Sequence, residues 1–174
     1  MSIVPNLWFD GVAEQAAAFY VSVFDDARVL SSTRYPEGSP GEAGTVMTVE
    51  FELRGQRFVG INGGPQFPFS EAVSFQITCR DQAEVDRYWA ALTEGGEEGR
   101  CGWLKDRFGV SWQVVPDGMD AVFSDPDPTR AQRAVQAMMG MRKLDLAALR
   151  QAADGVPAQE ELVYIGHLSC SPDA

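Results

Sequence analysis

Cys101, Trp103 and Lys105 stand at alternate positions in the run Cys101-Gly102-Trp103-Leu104-Lys105. If that run is extended, the three side chains share one face. A nearby ammonium lowers a thiol pKa and favours the thiolate, so the trio suggests nucleophilic chemistry. Against this, a free cysteine usually packs as a small hydrophobe beside a larger one. No histidine stands near it to complete a Cys-His pair. The chain has one histidine, His167, close to its C-terminal end. A lone histidine without an orienting partner is more often a surface residue than a base.

Gln113 lies between Trp112 and Val114. If those two pack under a helix, Gln113 points the other way, where its amide can both donate to and accept from one ligand group. Lys105-Asp106 adjoins a turn and would either position a polar ligand group or form exposed ion pairs. With Trp8 and Val49 on earlier strands, the candidate ligand-lining set is Trp8, Val49, Cys101, Trp103, Lys105 and Gln113; no catalytic group is assigned. The glycine pairs give no phosphate loop. No G-x-G-x-x-G opens a helix, Asn62-Gly63-Gly64-Pro65 reads as a turn, and Gly95-Gly96 as a helix stop.

The elements that must position these residues come in two similar sets. Residues 3–9 read as a strand with Pro5 at its start. Asp10 is the candidate N-cap of a helix with Ala13, Ala16, Ala17, Tyr20 and Phe24 on one side. Residues 27–35 alternate as a strand, 36–44 form a loop, and 45–53 form the clearest strand. There Met47, Val49, Phe51 and Leu53 share one face and Thr48, Glu50 and Glu52 the other. A turn at 54–56 leads into a strand at 57–62.

The second set has a strand at 73–79, then Asp81 and Glu84 as a capping box before a helix buried through Val85, Tyr88, Trp89 and Leu92. Strands at 99–106 and 110–116 flank a tight turn at Phe108-Gly109. Ala13-Glu14 falls on Ala83-Glu84 and Leu7 on Ile77, which indicates duplication. Helices follow over 117–155. One is opened by Asp127-Pro128, with Ala131, Val135 and Met138 or Met139 on its buried side. Another is capped by Asp145. Residues 156–174 are a tail in which Leu162 to Ile165 could add a short strand or dock on a partner.

Length and composition bound the result. At 174 residues and 45% apolar, the chain suits one globular domain. No apolar run reaches the roughly 18 residues of a membrane span. The opening Met-Ser-Ile-Val-Pro-Asn lacks the basic flank and apolar run of a signal peptide. Three widely spaced cysteines argue for a reducing, cytoplasmic setting. A net charge of −11 opposes nucleic-acid binding.

On these residues the chain resembles the vicinal oxygen chelate superfamily, which includes glyoxalase I, extradiol dioxygenases and bleomycin-resistance proteins. More closely, it resembles the PhnB-like branch labelled 3-demethylubiquinone-9 3-methyltransferase. The resemblance is carried by Leu7-Trp8-Phe9-Asp10-Gly11, Phe19-Tyr20, Gly55-Gln56-Arg57-Phe58, Asn62-Gly63-Gly64-Pro65, Glu84-Val85-Asp86-Arg87-Tyr88-Trp89 and, most specifically, the run from Cys101 to Gln113. It spans roughly 3–153.

The resemblance implies an α+β fold of two βαβββ modules whose curved mixed sheets surround a cavity, plus C-terminal helices. The domain is 1–155: module 1 about 1–65, module 2 about 70–116, and helices 117–155. Metal-dependent relatives take ligands from the first and last strands of each module. Those positions fall here on Pro5, Phe75 and Gln113, with Glu50 the plausible fourth, so no metal or other cofactor is expected.

The expected function is binding, or metal-independent transformation, of a small, largely apolar metabolite in the sheet cavity. The alternatives are a methyltransferase as the label says, or a glyoxalase- or dioxygenase-like metalloenzyme with an unusual ligand set. Fold alone does not decide among them. The expected partners are that small molecule and a second copy of the chain. The pairing would bury the apolar helices 119–153, with neither nucleic acid nor membrane involved.

Overall fold

A computed structural model describes residues 3–155. His167 and the 162–165 segment lie outside the described residues.

In the first module, β1 (Asn6–Phe9) leads into α1 (Ala13–Val23), then β2 (Ala27–Arg34), β3 (Val46–Leu53) and β4 (Gln56–Asn62). In the second, β5 (Phe75–Cys79) leads into α2 (Gln82–Thr93), then β6 (Glu97–Glu98), β7 (Trp103–Lys105) and β8 (Ser111–Pro116). The sheet orders are β1-β4-β3-β2 and β5-β8-β7-β6, the same topology twice. In each the first strand runs parallel to the last, and the other neighbours are antiparallel. Both open sheets are therefore βαβββ units of one mixed α+β fold.

Each sheet buries one face under its helix, as period-2 alternation requires. In β3 the buried set is Val46, Val49, Phe51 and Leu53; in β8 Trp112, Val114 and Pro116 are buried, with Ser111 buried from the other parity. The two helix-covered faces share a single core. Tyr20 of α1 and Phe24 at its C-cap meet Trp112 of β8, Phe24 meets Tyr88 of α2, and Phe58 meets Phe75. The opposite sheet faces carry mostly polar groups, among them Thr48, Glu50, Gln76, Thr78, Lys105 and Gln113.

Local chemistry departs from the sequence expectations in three places. Asp10 does not cap α1. The first helical N–H, that of Ala13, is taken by Oδ1 of Asn62 at 2.9 Å, while Nδ2 of Asn62 donates to the Val46 carbonyl. A residue at the end of β4 thus ties the helix start to β3. By contrast, Asp81 caps α2: its side chain accepts from Glu84 N, while the Glu84 carboxylate accepts from Arg80 N, one residue before the N–H that a strict capping box uses.

Residues 99–106 are not one strand. Cys101 and Gly102 both have left-handed backbone (φ 55° and 83°), which breaks the extended run between β6 and β7. Position 102 favours glycine because its φ is positive and a Cβ there would sit 2.9 Å from the Val114 carbonyl oxygen.

The C-terminal helices are α3 (Met119–Phe123), α4 (Pro128–Gly140) and α5 (Leu146–Ala153). The Asp127-Pro128 start and the Asp145 cap form as expected. The buried side of α4 is set by Ala134, with Ala137 and Met138 beside it; Val135 and Met139 are exposed. The helices hide Val122 and Leu149 in a small cluster of their own, and Leu144 is fully buried, so less apolar surface remains than the sequence suggests.

Candidate ligand clefts at the module junctions

Duplicated topology creates two related junctions. At each, the first strand of one module runs past the hairpin turn joining the last two strands of the other.

The first junction lies between β5 and the β3–β4 turn. It holds a cleft of about 410 Å³ walled by Phe24, Leu53, Phe58, Phe75, Ile77 and Trp112. Arg54, Gln56, Gln76 and Thr78 form its polar rim. Arg54 and Gly55 both take positive φ (49° and 84°), so the two-residue turn twists with its strands and presents the Arg54 side chain at the rim. Among the described residues Arg54 has no ion-pair partner.

The second junction lies between β1 and the β7–β8 turn, and here the space is partly filled. The connection at 64–69 lays Phe67 edge-on to Trp8 (5.1 Å between ring centres) and Phe69 edge-on to Phe9 (5.3 Å). Trp8 Nε1 donates to the Gly64 carbonyl at 2.8 Å. A Cβ on Gly63 would sit 2.0 Å from the Trp8 ring, so the Asn62-Gly63-Gly64-Pro65 turn is glycine-rich to admit that indole. What remains is a broader groove lined by Trp8, Phe9, Phe67, Phe69, Lys105 and Phe108.

Beneath the β7–β8 turn lies the residue the sequence reading placed in the wrong environment. Asp106 is 3% exposed. Oδ2 accepts from Tyr20 Oη and Trp112 Nε1, both at 2.8 Å; Oδ1 accepts from the backbone N–H of Phe108 at 2.8 Å and of Val110 at 3.1 Å. Burial pushes its carboxyl pKa up, while the four donors pull the other way. Burial and the neighbouring Asp106 likewise hold the Tyr20 phenol protonated. The group joins α1 of one module to β8 of the other. Lys105 pairs with Glu71 instead, which lowers the Glu71 carboxyl and raises the Lys105 ammonium. The local signal available was an aspartate ahead of a Gly turn, a residue that commonly accepts from backbone N–H two residues on.

The candidate residues separate accordingly. Trp103, Lys105 and Gln113 do share the uncovered face of the second sheet; Trp103 pairs with Gln113 across β7–β8 and Lys105 with Ser111. Gln113 Nε2 donates to Ser74 Oγ at 2.9 Å. Trp8 and Lys105 meet at the second junction. Val49 packs beneath α1 at 2% exposure and lines no open space. Cys101 belongs to the C-terminal helices: its N–H donates to the Met141 carbonyl, and its thiol lies 3.5 Å from the Met138 carbonyl and 4.0 Å from Met139 Sδ.

The four positions that would hold a metal in related folds do not suit one. Pro5 and Phe75 have no metal-ligating side-chain atom, Gln113 is engaged with Ser74, and Glu50 is ion-paired with Arg57. Among the described residues no three His, Cys, Asp or Glu side chains gather into a cation site.

Comparison with known proteins agrees with this geometry. The family described as 3-demethylubiquinone-9 3-methyltransferase matches over residues 1–115. The chain belongs to this family. A solved relative from Bacillus cereus, titled a putative 3-demethylubiquinone-9 3-methyltransferase and PhnB protein, is 36% identical. It covers 67% of this chain and 99% of its own, with a TM-score of 0.61. Protein PA1353 from Pseudomonas aeruginosa is 24% identical over 67% of this chain and 97% of its own (TM-score 0.56). A fosfomycin resistance protein, FosX, from Mesorhizobium loti is 13% identical over 70% of this chain and 94% of its own (TM-score 0.51), a likeness of fold alone. No curated protein matches. The family match ends at β8, so the C-terminal helices lie beyond it.

Proposed function

We propose that this protein binds a small, largely apolar molecule in the cleft between β5 and the β3–β4 turn. The observation that carries this is the cleft itself. A space of about 410 Å³ with aromatic and aliphatic walls and a few polar rim groups has the size and character of small-molecule sites. The site lies at the module junction rather than inside one sheet, because each sheet's inner face is filled by its own helix. Any reaction performed there would be metal-independent, since the donor set described above does not suit a cation.

Isothermal titration calorimetry with 1-naphthol, a neutral probe of suitable size, tests the reading. One equivalent should bind the wild-type chain. Gln76→Trp, which places an indole in the cleft mouth, should abolish binding without changing the melting temperature. No heat of binding at millimolar probe overturns the proposal.

A homodimer is the second part of this reading. Val29 and Leu30 lie exposed on the edge strand β2, and Val135 and Met139 are exposed on α4. Edge strands and apolar patches of this kind are commonly covered by a partner. Light scattering at micromolar concentration should give twice the chain mass; a monomer mass contradicts it.

A further inference from the structure

The cleft at the first junction has an anionic specificity that its apolar walls do not announce. We infer that Arg54 is a binding residue for the carboxylate of an apolar acid, whose hydrocarbon or aromatic body fills the space between Phe58, Phe75 and Trp112. This rests on the cleft reading above and names the ligand class.

Four observations converge on it. Arg54 is fixed at the rim by a left-handed turn residue position, followed by Gly55 also at positive φ, so the chain holds an arginine in a conformation that ordinarily favours glycine or asparagine. Its guanidinium has no ion-pair partner among the described residues. Arg57, the other arginine of the same hairpin, is by contrast paired with Glu50. The cleft that Arg54 borders is walled on its far side by Phe75 and Ile77 of β5 and Trp112 of β8, so the charge stands at the mouth of an apolar space. Finally, no acidic side chain among the described residues lines the cleft, so nothing within it competes with a ligand for the guanidinium.

A guanidinium beside apolar walls suits a carboxylate in particular. Its planar fork can give two parallel N–H bonds to the two oxygens. The rim amides of Gln56 and Gln76 and the Thr78 hydroxyl supply neutral donors around the same mouth. The hydrocarbon body gains from the walls and the head from Arg54. A neutral analogue keeps the first gain and loses the second.

The test compares 1-naphthoate with 1-naphthamide, two probes of nearly equal shape, by calorimetry on the full chain at 20 mM and 200 mM salt. The wild type should bind the acid about tenfold more tightly than the amide at low salt. That preference should shrink at high salt, as expected for a charge-assisted bond at a partly exposed site. Arg54→Gln should erase the preference, leave amide affinity and melting temperature unchanged, and abolish the salt dependence. Arg54→Lys should restore part of the preference. If both probes bind with equal affinity to wild type and Arg54→Gln, the carboxylate assignment fails while the cleft reading stands. If neither probe binds, the cleft reading fails and the assignment with it.

Discussion

The two junctions are built from the same parts and end in different states. At the second, a three-residue turn over Arg107, Phe108 and Gly109 sits on a buried carboxylate, and the 64–69 connection packs two phenylalanines along β1. At the first, a two-residue turn presents an arginine instead. The chain leaving β8 bonds back through Asp117 N to Cys79 O and proceeds into α3, so β5 keeps an apolar cleft along its edge. Duplication thus supplied two equivalent hairpin-against-edge contacts. One is consolidated by polar and aromatic packing and joins the modules; the other keeps the space that a ligand needs.

The largest expected effect probes the part the two junctions share. Trp112 donates to Asp106 at the consolidated side and walls the cleft at the other. Trp112→Ala should cost about 3–5 kcal/mol, as for other buried aromatics, measured by urea unfolding. A cost near 1 kcal/mol would mean that the shared core collapses around the gap and that the junctions are not coupled through this ring.

Next comes Asp106→Asn. The amide keeps one acceptor oxygen but presents N–H groups to donors, leaving buried partners unpaired at about 1–3 kcal/mol. The pH dependence sharpens this. Because burial raises the Asp106 pKa, the folded state holds the proton more tightly than the unfolded state does. This group's contribution to stability therefore falls as pH rises from the unfolded value near ~3.9 through the raised one. The wild-type advantage over Asp106→Asn should accordingly shrink between pH 4 and the raised value. An advantage that grows instead would show that the four donors outweigh burial. Arg54→Gln, at the other junction, should leave stability within about 0.5 kcal/mol.

Legibility in sequence follows the range of the interactions. The repeat, the Asp81-Glu84 cap, the Asp127-Pro128 start and the β3 alternation are set within a few residues, and each reads directly. Alternation assigns Val49, Phe51 and Leu53 to one face but does not say which face meets a helix, so Val49 was placed on the wrong one. Extended spacing at 101–105 conceals the left-handed pair Cys101-Gly102, whose N–H groups bond the carbonyls of Met141 and Arg142, far along the chain. The Tyr20–Asp106 bond joins residues 86 apart. The cleft draws its walls from Phe24, Leu53–Phe58 and Phe75–Thr78, segments that no local pattern brings together.

Opening the filled junction gives a smaller effect. Phe69 is half-buried against Phe9. Phe69→Ala should cost about 1–2 kcal/mol, less than for a fully buried ring, and should convert the second groove into a site for another equivalent of 1-naphthol. Unchanged stoichiometry would indicate that the 64–69 connection closes over the gap.

The smallest effect concerns Gln113, the neighbour of Trp112 on the same strand. Its side chain faces away from the shared core, lines neither cleft and makes one hydrogen bond, to Ser74 Oγ. Ser74 is itself half-exposed, so water replaces the lost partner when the amide is removed. Leucine at this position gains some contact with Trp103, its cross-strand neighbour. Gln113→Leu should therefore keep stability within about 0.5 kcal/mol of wild type and leave 1-naphthol affinity unchanged. Adjacent positions on β8 would then differ in cost by several kcal/mol for one reason: the strand's two-residue period turns one side chain into the core that joins the modules and the other out of it. A Gln113→Leu variant that loses the probe would move the site from the junction to the uncovered face of the second sheet, where Trp103 and Lys105 also lie.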